Sequence, residues 1–182
     1  MSSSAARRSI EPPGLRRASA RPPLYTPQQR QRRDASGWTL VQGVLAPIQF
    51  LVFLVSLGLV LRFLATGEGL GWATASIVVK TLTLYTIMIT GCLWEKDVYG
   101  VYLFAPAFYW EDVFSMLVLA LHTAYLVALA TDGLAPRPLM LLALAAYAAY
   151  VINATQFLLK LRAARLDQAR SERELSAQGQ VA

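Results

Sequence analysis

The fold class this sequence predicts is all-α: an integral membrane bundle of four transmembrane helices with both termini in the cytoplasm. Three observations predict it. The 182-residue chain is 55% apolar and only 15% charged, against roughly 25% charged in an average soluble domain. Its apolar residues fall into four runs, each close to the roughly 20 residues needed to cross the hydrocarbon of a bilayer. All of its basic residues but Lys80 fall in particular segments between and beyond those runs.

The runs lie near Thr39–Leu61, Trp72–Trp94, Val113–Thr131 and Pro138–Leu159. Apolar residues occupy every face of each, as lipid-exposed helices require and a one-sided surface helix does not. Short connectors with turn chemistry join them in pairs: Thr66-Gly67-Glu68-Gly69 after the first, Asp132-Gly133-Leu134-Ala135-Pro136 after the third. The N-terminal tail, the 95–112 connector and the stretch from Lys160 carry fourteen basic residues; the two opposite connectors carry only Arg62 and Arg137. The bias places both tails and the middle connector in the cytoplasm.

The domain limits follow. Residues 1–34 read as a disordered basic cytoplasmic tail, rich in Arg, Ser and Pro. Residues 35–165 form the four-span domain, and 166–182 a charged C-terminal tail. The net charge of +6 is located entirely in the first 34 residues, where eight arginines face Glu11 and Asp34. Such a tail suits anionic lipid, and no nucleic-acid partner is expected. The segment lacks the apolar centre and cleavage site of a secretory signal. Lys160 to Glu174 reads as a solvated helical extension of the fourth span.

A single cysteine, Cys92, and a single histidine, His122, exclude a thiolate zinc site and any site needing two imidazoles from one chain; no metal site is expected. An ionisable side chain inside a bilayer costs at least about 2.5–3.5 kcal/mol, so Lys80 and His122 need reasons, and Gln42, Gln49, Asn153 and Gln156 accompany them. At about 1.5 Å per residue, these groups fall in one layer from mid-membrane to the cytoplasmic face. The layer suggests a polar cavity opening to the cytoplasm, with interhelical hydrogen bonding as the plainer account. Lys80 either snorkels toward the external face or marks a pathway.

The 95–112 connector is unlike a plain cytoplasmic loop. It holds Glu95, Asp97, Glu111 and Asp112 against Lys96 alone, with Tyr99, Tyr102, Phe104, Phe108, Tyr109 and Trp110 between the acidic ends. An interfacial aromatic belt explains the rings but not the acids. Glu111 and His122 lie only about 20° out of helical phase, with Ser115 on the same face. A carboxylate, a hydroxyl and an imidazole thus descend one side of the third span. Capping of the helix start is the alternative for Glu111 and Asp112.

The strings Leu24-Tyr25-Thr26-Pro27-Gln28-Gln29-Arg30-Gln31-Arg32-Arg33-Asp34 and Trp38-Thr39-Leu40-Val41-Gln42-Gly43-Val44-Leu45-Ala46-Pro47-Ile48-Gln49-Phe50 resemble the opening of the 3-vinyl (bacterio)chlorophyllide hydratases. Trp94-Glu95-Lys96, Leu103-Phe104-Ala105-Pro106-Ala107-Phe108, Trp110-Glu111-Asp112 and His122-Thr123-Ala124-Tyr125 are similar to the same family. The likeness covers about residues 24–165 and leaves 1–23 outside it. It implies a multi-pass hydro-lyase of bacteriochlorophyll synthesis in the bacterial inner, photosynthetic intracytoplasmic membrane. The implied reaction adds water across the C3 vinyl group of chlorophyllide a or 3-vinyl bacteriochlorophyllide a. No cofactor is implied, because the substrate carries its own magnesium.

Vinyl hydration requires a general acid, a positioned water with a base, and a flat apolar slot. A carboxyl in an aromatic environment can keep its proton near neutral pH, so Glu111, Glu95 and Asp112 are the candidate acids, Glu111 first for its alignment with His122. His122 is the candidate base or water-orienting group, or alternatively an axial ligand of the pigment's magnesium. Tyr99, Tyr102, Phe108, Tyr109 and Trp110 are candidate slot walls, with Gln49 and Asn153 candidate binding groups. A non-enzymatic tetrapyrrole carrier or photosystem-assembly factor would need the slot but no acid. Four short helices enclose little volume for a macrocycle, which leaves room for a homo-oligomer or contact with other pigment-synthesis enzymes.

Overall fold

The computed structural model describes residues 24–179 and consists there of five helices. These are α1 (Pro27–Ala35), α2 (Gly37–Thr66), α3 (Leu70–Tyr99), α4 (Tyr109–Ala130) and α5 (Pro136–Gly179). Helices α2 to α5 are long and apolar enough to cross a membrane, α5 over Pro136–Arg170. Each expected span lies within one of them, apart from Thr131, which caps α4. Large apolar side chains such as Leu51, Val55, Trp72, Ile89 and Leu158 face outward, the arrangement that lipid contact requires and that a water-facing surface would penalise.

Helix α1 departs from the expectation of disorder through residue 34. Thr26 caps it, accepting from the Gln29 backbone while the Gln29 side chain accepts from the Thr26 backbone. Pro27 opens the helix with the φ it needs. Tyr25 then stacks on Tyr99 with ring centroids 6.1 Å apart, and burial of that ring ties the short helix to α3. The remainder of the predicted tail, residues 1–23, lies outside the described residues.

The turn between α2 and α3 needs two left-handed positions, and glycine fills both: Gly67 at φ 78° and Gly69 at φ 82°. The chain reverses within Thr66–Gly69, and α2 packs along α3 while α4 packs along α5. Contacts of α2 with α5 and of α3 with α4 close the four into a bundle. At the turn end, Phe53, Val60, Phe63, Ala73, Ile77, Tyr125, Met140 and Tyr147 form the largest apolar cluster. At the opposite end, α1, the last turn of α3, the first turn of α4 and the Asn153–Lys160 stretch of α5 converge.

The middle connector is shorter than the sequence suggests. Glu95 to Tyr99 complete α3 and Tyr109 to Asp112 begin α4, leaving only Gly100–Phe108 between helices. Gly100, at φ 83°, ends α3 with its amide on the Lys96 carbonyl. The acidic residues at the connector's two ends therefore stand on rigid helix ends facing each other.

Candidate active site

Glu95 and Asp112 are both buried, at 6% and 4% exposure. Successive amides of the connector reach one carboxyl oxygen of each, which sets the two side chains side by side. Two carboxyls brought together in a buried place repel when both are ionised, so the pair favours holding one proton between its members. The connector folds back over it. The Phe104 amide donates to Asp112 Oδ2 at 2.8 Å and the next amide, Ala105, to Glu95 Oε2 at 3.3 Å. Aiming two successive amides at one place needs an unusual backbone, and Phe104 sits at φ 60°, costly for a bulky side chain and found where surrounding contacts enforce it. Consecutive N–H groups of this kind make a small anion-binding concavity.

Glu111 is buried too, and its partner is Lys160, Nζ to Oε2 at 2.6 Å. Lys160 also lies 4.9 Å from the Phe108 ring centroid. This corrects the reading of Lys160 as part of a solvated extension: it turns inward because it continues the Asn153–Gln156 face of α5. One turn below Glu111, the Asn153 side-chain amide donates to Ser115 Oγ at 2.8 Å. Beside these groups lies an aromatic cluster of Tyr25, Trp94, Tyr99, Phe108 and Phe157. Phe108 stacks on Phe157 at 5.8 Å and meets Tyr99 and Trp94 edge-on.

The expected face of α4 is present: Glu111, Asp112, Ser115 and His122 are all buried. Sharing a face does not place them at one site, because Asp112 and His122 are about 15 Å apart along the axis. Leu84, Val118 and Ala149 pack between the two levels. The single polar layer expected from the sequence is thus two layers. The outer one holds Glu95, Asp112, Glu111, Lys160, Ser115 and Asn153. The inner one holds Gln49, Lys80, His122 and the hydrogen-bonded trio Ser56, Ser76 and Tyr147.

In the inner layer His122 is fully buried, and its Nδ1 lies 2.8 Å from the Val118 carbonyl. A carbonyl only accepts, so Nδ1 carries the proton and Nε2 is left as an acceptor. Lys80 does not snorkel outward. It is fully buried, with Nζ 3.9 Å from the Tyr150 ring centroid and Tyr147 and Phe53 around it. Lys80 Nζ, His122 Nε2 and Gln49 Oε1 are buried without a hydrogen-bond partner in the structure.

The expected slot walls divide. Tyr99 and Phe108 join the aromatic cluster, whereas Tyr102, Tyr109 and Trp110 are 57%, 49% and 67% exposed. Those three point away from the bundle interior, because the connector's inward surface is taken up by backbone amides on the carboxyl pair. Sequence reasoning missed Tyr25, Trp94 and Phe157 as members of the cluster, and Lys160 as the partner of Glu111. For Lys160 the signal was available, since Asn153, Gln156 and Lys160 recur at helical spacing on one face.

Fold and site together define an all-helical protein with four helices long and apolar enough to span a membrane and a buried carboxyl pair beside an aromatic cluster at one end of the bundle. The 2-vinyl bacteriochlorophyllide hydratase family matches residues 25–163, from the ring that anchors α1 to just past Lys160. A protein of that name from Cereibacter sphaeroides is 70% identical over 145 residues, covering 79% of this chain and 89% of the relative. One of the same name from Rhodobacter capsulatus is 67% identical over 153 residues, covering 84% and 88%. No solved structure matches. The chain belongs to the 2-vinyl bacteriochlorophyllide hydratase family and is a hydro-lyase of bacteriochlorophyll biosynthesis.

Proposed function

We propose that this chain adds water across the ring vinyl group of chlorophyllide a or 3-vinyl bacteriochlorophyllide a, leaving a 1-hydroxyethyl group. The position numbered 2 in the relatives' names and 3 in the sequence resemblance is taken to be the same vinyl substituent. The observation that carries the reading is the adjoining pair of buried carboxyls, Glu95 and Asp112, under the Ala105 and Phe104 amides.

The reaction asks for one proton to be given and one to be taken back. The pair donates its shared proton to the terminal vinyl carbon, breaking the π bond and forming a C–H bond. The adjacent carbon becomes a cation delocalised into the macrocycle. Water adds there through its oxygen, and the proton it loses returns to the pair, so the enzyme ends as it began. The two amides offset the negative charge that grows on the carboxyls when the proton leaves. No electrons are transferred, and the balance closes without a protein-bound cofactor; the magnesium belongs to the substrate.

Glu111, held by Lys160, is assigned to orienting the water rather than to giving the proton. A vinyl group at the carboxyl pair lies about 15 Å from His122, so His122 is assigned to the inner layer and not to the same chemical step. Tyr99 and Phe108 supply the apolar side of the site, and the outward rings of Tyr102, Tyr109 and Trp110 the apron over which a macrocycle arrives from the bilayer. The basic bias of α1 and of the stretch from Lys160 supports a cytoplasmic location for this end of the bundle, in the inner or intracytoplasmic membrane of a photosynthetic bacterium.

The test is water addition by the purified protein in lipid nanodiscs, with a 3-vinyl chlorin in 18O-labelled water. A product heavier by one labelled water is expected. Tight chlorin binding with no product would replace this reading with that of a tetrapyrrole carrier.

A further inference from the structure

Helix α1 carries two arginines one turn apart, Arg30 and Arg33, on its half-buried side. Their surroundings differ. Arg33 is paired with Asp34, Nε and one terminal nitrogen at 2.8 and 2.7 Å from Oδ1. Arg30 has no such partner: the first turn of α1 holds no acid, and Arg30 Nε is shielded from solvent without a hydrogen bond. A guanidinium nitrogen withdrawn from water and left unpaired is costly.

Arg33 stands beside the aromatic cluster, and Arg30 lies one turn before it on the same half-buried side of α1. Arg33 lies 4.8 Å from the Tyr25 ring centroid, Tyr25 stacks on Tyr99, and Tyr99 meets Phe108 at 5.9 Å. Glu95 lies one helical turn before Tyr99 on α3. A buried carboxyl and a cationic helix therefore adjoin one patch of rings. A chlorophyllide is a plate with a matching distribution of groups: an apolar macrocycle, a vinyl substituent, and a free carboxylate on a propionyl arm of the neighbouring ring. An arginine fork is the side chain whose geometry suits a carboxylate.

We infer that Arg30, with Arg33 one turn away, forms the binding site for the substrate's propionate carboxylate and selects free-acid chlorins over esterified ones. This rests on the proposed hydratase reading for the identity of the ligand. It adds a second anchor to the site, on the helix that the sequence reads as part of a disordered tail.

The test compares the free acid of a 3-vinyl chlorin with its methyl ester, using the full chain in phosphatidylcholine nanodiscs. Binding is read by chlorin fluorescence and turnover by water addition. The wild type is expected to bind the acid about tenfold more tightly than the ester, as one charge-assisted hydrogen bond warrants. Arg30→Gln should bring that ratio toward one by raising KM for the acid at constant kcat, and Arg30→Lys should keep part of the preference. Equal loss for acid and ester would reduce Arg30 to a structural role and overturn the inference. So would a wild type that does not distinguish them, or an Arg30 effect that appears only when anionic lipid is added, which would mark a headgroup site. An acid preference without product formation would sink the hydratase reading and leave the carboxylate site standing.

Discussion

Glu95, in the last turn of α3, and Asp112, in the first turn of α4, are held side by side by adjacent amides of the connector, Ala105 donating to Glu95 Oε2 at 3.3 Å and Phe104 to Asp112 Oδ2 at 2.8 Å. Two buried carboxyls held this close favour sharing one proton. The consequences can be measured one side chain at a time.

Glu95→Gln and Asp112→Asn keep the shape of the pair and take away its capacity to give and recover a proton. Each is expected to lower kcat by about 10²–10⁴-fold, the usual worth of a positioned acid or base, with chlorin binding retained. Wild-type turnover in either variant would remove that residue from the chemistry.

Lys160→Met leaves the Glu111 carboxylate buried without its partner and is expected to lower the unfolding free energy. Lys160 is about a quarter exposed, so the loss should fall below the roughly 3–5 kcal/mol of a fully buried broken pair. The double variant Glu111→Gln/Lys160→Met should recover much of the stability, because no stranded charge remains. Thermal midpoints in detergent for the four members of the cycle decide it; additive losses would mean that the pair is not coupled.

Phe104→Gly and Phe104→Pro probe the left-handed position over the carboxyls. Glycine adopts φ 60° freely, so that variant should fold at least as well through the backbone term. Proline is fixed near φ −65° and lacks the amide that reaches Asp112. It is expected to lose both stability and activity. Equal behaviour of the two variants would show that the conformation of the connector does not hold the pair.

Lys80→Met removes a fully buried amine that has ring faces but no hydrogen-bond partner around it. The expected result is a raised thermal midpoint with water addition retained, since the inner layer is separated from the carboxyl pair by Leu84, Val118 and Ala149. Loss of turnover in a well-folded Lys80→Met protein would bring the inner layer into the reaction.

Tyr25→Ala removes the ring that fastens α1 to α3. Tryptic cleavage after Arg30, Arg32 and Arg33 should become faster in the variant, with α2 to α5 intact. Unchanged cleavage would mean that the capping box alone keeps the helix in place.

The extent of the helices was legible because bilayer-length apolar runs and paired glycines are local signals, written in consecutive residues. The face shared by Glu111, Ser115 and His122 was legible for the same reason: a helix repeats every 3.6 residues whatever surrounds it. Height along the bundle was the weaker point. Phase says which side a residue faces, whereas the apolar layer of Leu84, Val118 and Ala149, which divides the polar groups, comes from three different helices. Helix α1 was obscured by composition, since its arginines outweighed the Thr26–Gln29 capping box in a reading that averages over the tail.

By itself the sequence determined four membrane-length helices, a middle connector with acidic ends and aromatic contents, and a resemblance that named the family. Only the tertiary structure decided which acid meets which group: Glu95 with Asp112, Glu111 with Lys160, and Tyr25 with Tyr99. The reason is physical. Hydropathy and helical phase are properties of one segment, while the partner of a buried carboxyl is set by where a second and a third helix end, and by the path of the chain that covers them.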